Sequence, residues 1–250
     1  MTILVAVKCR DGIVIGADGI ATSAAGERPT MQIASSVKIQ IIDGKVIIAC
    51  TGEVGLSQRF QQIVKESWDA KEFTKPCLQC APTIAGKTVL NFQQSHQKQS
   101  GFGFGALMAA PFAKQMELVE FAGNNFQPEI KAHPLHYVSA GSGQMLADPF
   151  LAFVDRIVWK QTLPSLANGQ LGVLWVLRHT ILHAPGGVGG PIQMATLKEV
   201  AGQAQARMVE PEEQAQFEQH VEALEDGIMG VVAGLFNARP IALPPVPAPE

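Results

Sequence analysis

The sequence predicts an α+β fold in which sheets are covered by pairs of helices, carried by one domain over residues 1–238. Three observations lead there. Four short strand-like segments precede any helical periodicity. The apolar spacing then switches from every second residue to every third or fourth over two consecutive segments. No regular strand–helix–strand alternation and no internal repeat follows, which argues against a parallel α/β sheet.

In chain order, residues 2–8 and 12–18 read as strands around the turn Arg10-Asp11-Gly12, and Asp18-Gly19 ends the second. Residues 23–33, rich in Ser, Ala, Gly and Pro, read as a loop. Segments 38–42 and 45–51 form a further pair joined by Asp43-Gly44, a dipeptide suited to a tight hairpin. From Gly55 to about Ala70, the residues Leu56, Phe60, Ile63, Val64 and Trp68 fall at helical spacing. A second helix is expected over about 81–97, starting near Pro82, with Ile84, Thr88, Val89 and Phe92 on one side. Strands over 102–110, 115–121 and 137–140 come next, separated by Pro111 and by Gly123-Asn124-Asn125. Residues 143–160 and 170–182 are helical again, with Pro164 and Asn168-Gly169 breaking them apart, and 192–200 is a last strand. A closing helix over about 210–235 has Pro211 and acidic residues at its start and the stripe Phe217, Val221, Leu224, Ile228 and Val232. The Pro-rich tail, 239–250, is expected to be extended and mobile.

Composition narrows the function. Among 250 residues, 19 Lys and Arg balance 22 Asp and Glu for a net charge of −3, with no basic block to serve nucleic acid. No apolar run approaches the roughly 20 residues that cross a bilayer, and the start lacks a basic leader, so a cytoplasmic protein is expected. Cys9 and Cys50 sit in apolar strand-like runs, where a thiol acts as a small hydrophobe. Cys77 and Cys80 have CxxC spacing without a second pair to complete a zinc site. His133 and His136, and the helical pair His179 and His183, have no acidic or thiol residue placed to complete a metal site, so packing or surface roles are expected.

Thr2 directly follows Met1 at the head of the first strand. Removal of Met1 would leave a hydroxyl and an α-amine on one residue, a nucleophile beside a base whose unperturbed pKa is roughly 8. Around it, TILVAVKCRDGIVIGADGIATS, then SSVKIQIIDGKVIIACTGEVG, and later YVSAGSG at Tyr137–Gly143 together resemble a proteasome-type β-subunit, an N-terminal-nucleophile hydrolase of the same broad group as the bacterial HslV peptidase. The resemblance is strongest over Thr2–Phe60, and the order of elements follows the family to about residue 200.

The resemblance implies a four-layer αββα sandwich of two antiparallel sheets. It assigns Thr2 as the catalytic threonine, Asp18 as the buried carboxylate that holds a lysine, and Lys38 as that lysine. Gly52 falls on the oxyanion-hole glycine, Ser142 on the serine that orients the terminal amine, and Cys50 and Val54 on positions lining the pocket for the substrate's first side chain. The chemistry agrees: an ammonium beside the hydroxyl lowers its pKa, a buried ammonium needs an anion, and a glycine N–H can meet developing negative charge. The implied activity is a threonine peptidase acting on peptides or unfolded proteins, with no metal or organic cofactor. The implied partners are identical subunits in a ring and a separate ATP-dependent unfoldase. The chain lacks a phosphate-binding GxxxxGK of its own.

Two departures matter. The family's usual Asp and Ser after the fourth helix are missing from His183-Ala-Pro-Gly-Gly-Val-Gly-Gly190, where Pro185 and Val188 stand in their places. No propeptide is expected before Thr2, so an aminopeptidase acting on Met1 would replace autocatalytic processing. These departures keep two alternatives open, a catalytically inactive ring or scaffold and a small-molecule amidase.

Overall fold

The first strand, β1 (Ile3–Lys8), is apolar at nearly every position because both of its faces are buried. Ile3, Val5 and Val7 point into one core and Leu4 and Ala6 into another, as the two-residue side-chain period requires. The same division holds in β6 (Val46–Gly52), where Val46, Ile48 and Cys50 face one core and Ile47 and Ala49 the other. Two sheets stacked face to face, each covered on its outer side by helices, satisfy both patterns.

The computed structural model shows that arrangement and describes residues 2–25, 28–94, 103–122, 126–184 and 187–238. One antiparallel sheet has the order β10-β1-β2-β11-β12, with β2 Gly12–Ala17, β10 Tyr137–Gly141, β11 Gln193–Val200 and β12 Gln203–Met208. The other runs β5-β6-β7-β8-β9, with β5 Ile39–Ile42, β7 Phe104–Phe112, β8 Gln115–Phe121 and β9 Pro128–Lys131. Leu4, Ile15, Ile47, Leu107 and Leu197 fill the layer between the sheets. Helices α1 (Val54–Asp69) and α2 (Cys77–Gln93) cover the second sheet through Phe60, Ile84 and Phe92. Helices α3 (Gln144–Val154), α4 (Leu166–His183) and α5 (Pro211–Ala238) lie on the outer side of the first. The fold is therefore the expected α+β sandwich of four layers.

Several local expectations are corrected. The segment expected as a loop over 23–33 is a hairpin of β3 (Ala21–Ala25) and β4 (Arg28–Ile33), paired apart from both sheets, with a bulge where Ala24 faces Pro29. Residues 21–33, ATSAAGERPTMQI, carry no sustained apolar alternation to read. Strands β9 and β12 were not expected: both are sheet edges, half exposed and polar in sequence (PEIK, QAQARM). Helix α2 begins directly after Pro76 rather than near Pro82, which lies exposed in the helix and frees a carbonyl on the solvent side. Asn168-Gly169 does not break a helix but lies inside α4, where a side chain on Gly169 would overlap the Cys9 sulfur. The tail over 239–250 lies outside the described residues.

Candidate active site

Four chain segments meet at one end of the sheets. Thr2 precedes β1, Asp18 follows β2, Lys38 precedes β5, and Ser142 follows β10. Antiparallel pairing of β1 with β10 sets Ile3 opposite Gly141, which carries Ser142 to the chain start. The Thr2 backbone nitrogen donates to Ser142 Oγ at 3.1 Å, and the Ser142 hydroxyl lies 3.4 Å from the Thr2 carbonyl. The Gly143 N–H donates to the same carbonyl at 3.3 Å. The turn after β10 therefore grips Thr2 from both sides of its backbone.

On the opposite flank, Asp18 is completely buried, an expensive position for a carboxylate unless its charge is met. Lys38 Nζ meets it at 2.5 Å from Oδ1. The same oxygen accepts the Ile3 N–H at 2.9 Å, the peptide next to Thr2. Its other oxygen accepts from the backbone N–H groups of Ile20 and Gly189, each at 3.3 Å. Lys38 itself is 9% exposed, and burial pushes its ammonium below the ordinary lysine value; the hydrogen bond and charge of Asp18 oppose that push. Sequence spacing placed these two residues 20 apart with no sign that they touch; the structure joins them.

Gly52 ends β6 with φ +104°, in the left-handed region, and a side chain there would collide with the Gly103 carbonyl oxygen. Only glycine allows this backbone to stand where it does. Cys50, two residues earlier, is 8% exposed and turned toward α1 and α2, where burial pushes its thiol up to about 12 against the hydrogen bond of Ser57. Val54, at the first turn of α1, is exposed. Of the two expected pocket-lining residues, Val54 is therefore the open one.

Three contributors were not foreseen. Gln193, at the head of β11, accepts the Lys38 N–H at 3.1 Å and donates to the Ser36 carbonyl at 2.6 Å, tying the lysine segment to the other sheet. A single polar residue opening an apolar strand was its only signal. Gly189 supplies Asp18 with a backbone N–H from the very loop that lacks the family's Asp and Ser. Within that loop Val188 is buried among apolar neighbours, and Pro185 lies outside the described residues. Ser139 donates to Asp148 Oδ1 at 2.5 Å, fastening α3 to β10 just before the Ser142 turn.

A groove of about 980 Å³ lies among Lys45, Trp68, Lys71, Lys114 and Gly202, at the far ends of the strands that deliver Gly52 and Gln193. Burial pushes the thiols of Cys77 and Cys80 to about 12 and about 11, so both are protonated at neutral pH. His136 is fully buried, with its ring 6.5 Å from that of His133, and His179 stacks on Phe150 at 4.1 Å. Among the described residues no three His, Cys, Asp or Glu side chains are grouped to hold a metal, and no helix is long and apolar enough to cross a membrane.

Comparison with known proteins agrees with this architecture. The family model described as "Proteasome subunit" matches residues 2–152. The fold is similar to the solved structure of Anbu (ancestral beta-subunit) from Yersinia bercovieri, with a TM-score of 0.69 at 13% identity, covering 98% of this chain and 99% of that one. It is also similar to an Anbu (Gly-1) mutant from Hyphomicrobium sp. strain MC1, with a TM-score of 0.67 at 14% identity over 93% of this chain and 97% of that one. A search of curated protein sequences found no significant match.

Proposed function

We propose that this chain, which belongs to the proteasome subunit family, is a threonine peptidase whose nucleophile is Thr2 after removal of Met1. One observation carries the reading: the buried Asp18–Lys38 pair lies beside the backbone of Thr2, with Asp18 bonded to the adjacent Ile3 N–H. A core that needs only stability gains little from a buried ion pair, and apolar residues of similar volume often serve as well or better. An ammonium bonded to the carboxylate that also holds the peptide next to Thr2 has a chemical use beside a nucleophile.

In the proposed reaction the Thr2 hydroxyl attacks a peptide carbonyl while its proton passes to the α-amine. The Lys38 charge favours the developing alkoxide. The Gly52 N–H meets the negative oxygen of the tetrahedral intermediate. Collapse expels the amine half of the peptide, which takes the proton from the α-ammonium, and leaves an ester on Thr2. Water, deprotonated by the same amine, then hydrolyses the ester and restores the enzyme. Ser142 holds the Thr2 nitrogen in line for both transfers. Val54 borders the pocket for the substrate's first side chain, with Cys50 behind it. The reading carries with it a ring of identical subunits and a separate ATP-driven unfoldase.

The test is intact-mass analysis before and after treatment with a peptidic epoxyketone, which needs both the hydroxyl and the amine. Loss of Met1 and one adduct per chain, absent in Thr2→Ala, is the expected result. A processed chain that takes up no adduct overturns the peptidase and favours the second reading, an inactive ring or scaffold. That alternative rests on the loop at 187–190, which offers Asp18 a backbone N–H but brings no carboxylate or hydroxyl of its own.

A further inference from the structure

The groove at the far end of the strands takes part in no step proposed at Thr2. It lies where the two stacked sheets end beside α1, with a volume of about 980 Å³. Clefts of ~300–1,000 Å³ with an apolar lining and a few placed polar groups are the usual size for small ligands. Trp68, Phe73, Pro111 and Met116 supply the apolar lining. Trp68 meets Phe73 edge-on at 5.3 Å, and Phe73 stacks on Phe112 at 4.9 Å, so the aromatic surface is held in place from behind.

Two separately braced walls border the groove. In one, the Ala113 N–H at the β7–β8 turn donates to the Phe73 carbonyl at 2.9 Å, which binds that turn to the short helical turn Glu72–Thr74. This wall brings Lys71 and Lys114. In the other, Lys45 Nζ donates to the Ala204 carbonyl at 2.6 Å and the Ala206 N–H to the Gly44 carbonyl at 2.7 Å. Those bonds join the β5–β6 turn to the β11–β12 turn, and this wall brings Glu199.

Lys71, Lys114 and Glu199 are exposed, and among the described residues none of the three is in an ion pair. Asp69, the other carboxylate of the lining, is held by Lys65 at 2.6 Å. Lys71 and Lys114 have φ of +58° and +73°, where glycine or asparagine fits the backbone at less cost. Both positions carry a lysine all the same, so backbone geometry does not account for the residue. The groove thus has two free ammonium groups on one wall, one free carboxylate on the other, and an aromatic and aliphatic floor.

We propose that this groove binds short apolar peptides with free termini. The peptide's terminal carboxylate meets Lys71 and Lys114, its α-ammonium meets Glu199, and its side chains lie on Trp68, Phe73 and Met116. Charge complementarity selects this class. A fatty acid would answer the lysines and leave Glu199 without a partner, and an amine would do the reverse. A segment within a longer chain brings neither terminal charge. Peptides of this kind are also what the proposed peptidase releases, but the binding stands apart from any chemistry at Thr2.

The test is calorimetric titration of the tripeptide Leu-Phe-Leu into the Thr2→Ala protein, which leaves the peptide intact whatever Thr2 does in the wild type. Tryptophan fluorescence gives a second readout, since Trp159 and Trp175 are 3% and 5% exposed and Trp68 is the one that lines the groove. Saturable binding is expected, weakened about fivefold by C-terminal amidation and about fivefold by N-terminal acetylation, the scale of an exposed ion pair. Lys71→Asn/Lys114→Asn, whose new side chains tolerate a left-handed backbone, should bind the free and amidated peptides alike. Glu199→Gln should bind the free and acetylated peptides alike. Trp68→Phe should lose the fluorescence change and keep the heat. The proposal is overturned by no saturable binding at millimolar peptide, or by equal binding of the free peptide and one blocked at both ends. Discrimination that survives the substitutions overturns it too, as does binding of dodecanoate where the peptide fails.

Discussion

Replacing Lys38 with methionine tests the site most directly, because it removes the charge while keeping most of the volume. It leaves Asp18 fully buried with its carboxylate uncompensated. Breaking a buried pair in this way costs about 3–5 kcal/mol. Asp18 would retain three backbone N–H donors, from Ile3 at 2.9 Å and from Ile20 and Gly189 at 3.3 Å, so the lower end, about 3 kcal/mol, is expected. For a chain of this size that corresponds to a fall in Tm of roughly 6–12 °C. The assay is thermal and urea unfolding at fixed protomer concentration, with Asp18→Asn and the double variant completing a cycle. Asp18→Asn should cost less, since the stranded lysine can shed its proton. The double variant, with no buried charge, should recover much of the loss of Lys38→Met. Epoxyketone labelling should be abolished in the two variants that lack Lys38 and only slowed in Asp18→Asn. A Lys38→Met protein within 0.5 kcal/mol of wild type, or a cycle with no coupling, would refute the idea that the pair is a tightly interdependent unit.

Three further outcomes are expected. Ser142→Ala removes the hydroxyl that accepts from the Thr2 nitrogen, so labelling should slow by about tenfold while stability falls by no more than about 1 kcal/mol; an unchanged labelling rate would dismiss Ser142 as a positioning residue. The labelling rate should decline on the alkaline side below the ordinary lysine pKa, because burial lowers that of Lys38, and Asp18→Asn should move the decline lower still; a limb unmoved by that change would assign it to another group. His136 has no well-formed hydrogen bond at either ring nitrogen and lies 3.6 Å from Asp155, and burial lowers its pKa. A histidine held below its unfolded value of about 6.5 favours the unfolded chain as that chain takes up the proton, so this residue removes stability as pH falls through that value. Burial raises the Asp155 pKa, which works in the opposite direction at lower pH. Between pH 7.5 and 6 the wild type should therefore lose more Tm than His136→Phe, and equal losses would show that His136 takes up its proton as readily in the folded chain as in the unfolded one.

The amino-acid sequence alone determined the layering. In β1 and β6, alternate residues serve different cores, and a strand apolar on both faces must lie between two packed layers. The helical stripes of α1 and α5, and the Asp43-Gly44 turn between β5 and β6, were equally legible because each depends on neighbours within a few residues. Edge strands β9 and β12 were not, since half-exposed polar segments carry no periodic signal. Tertiary structure alone decided which groups meet. Ser142 touches a residue 140 positions away, Gly189 reaches Asp18 across 171, and Gln193 holds Lys38 across 155. It also decided that α5 outruns the body that buries its first half: Val221 is fully buried while Ile228 and Val232 are exposed, although the stripe is continuous. Periodicity tells which side of a chain seeks cover. Strand register and the finite extent of the layers determine what covers it.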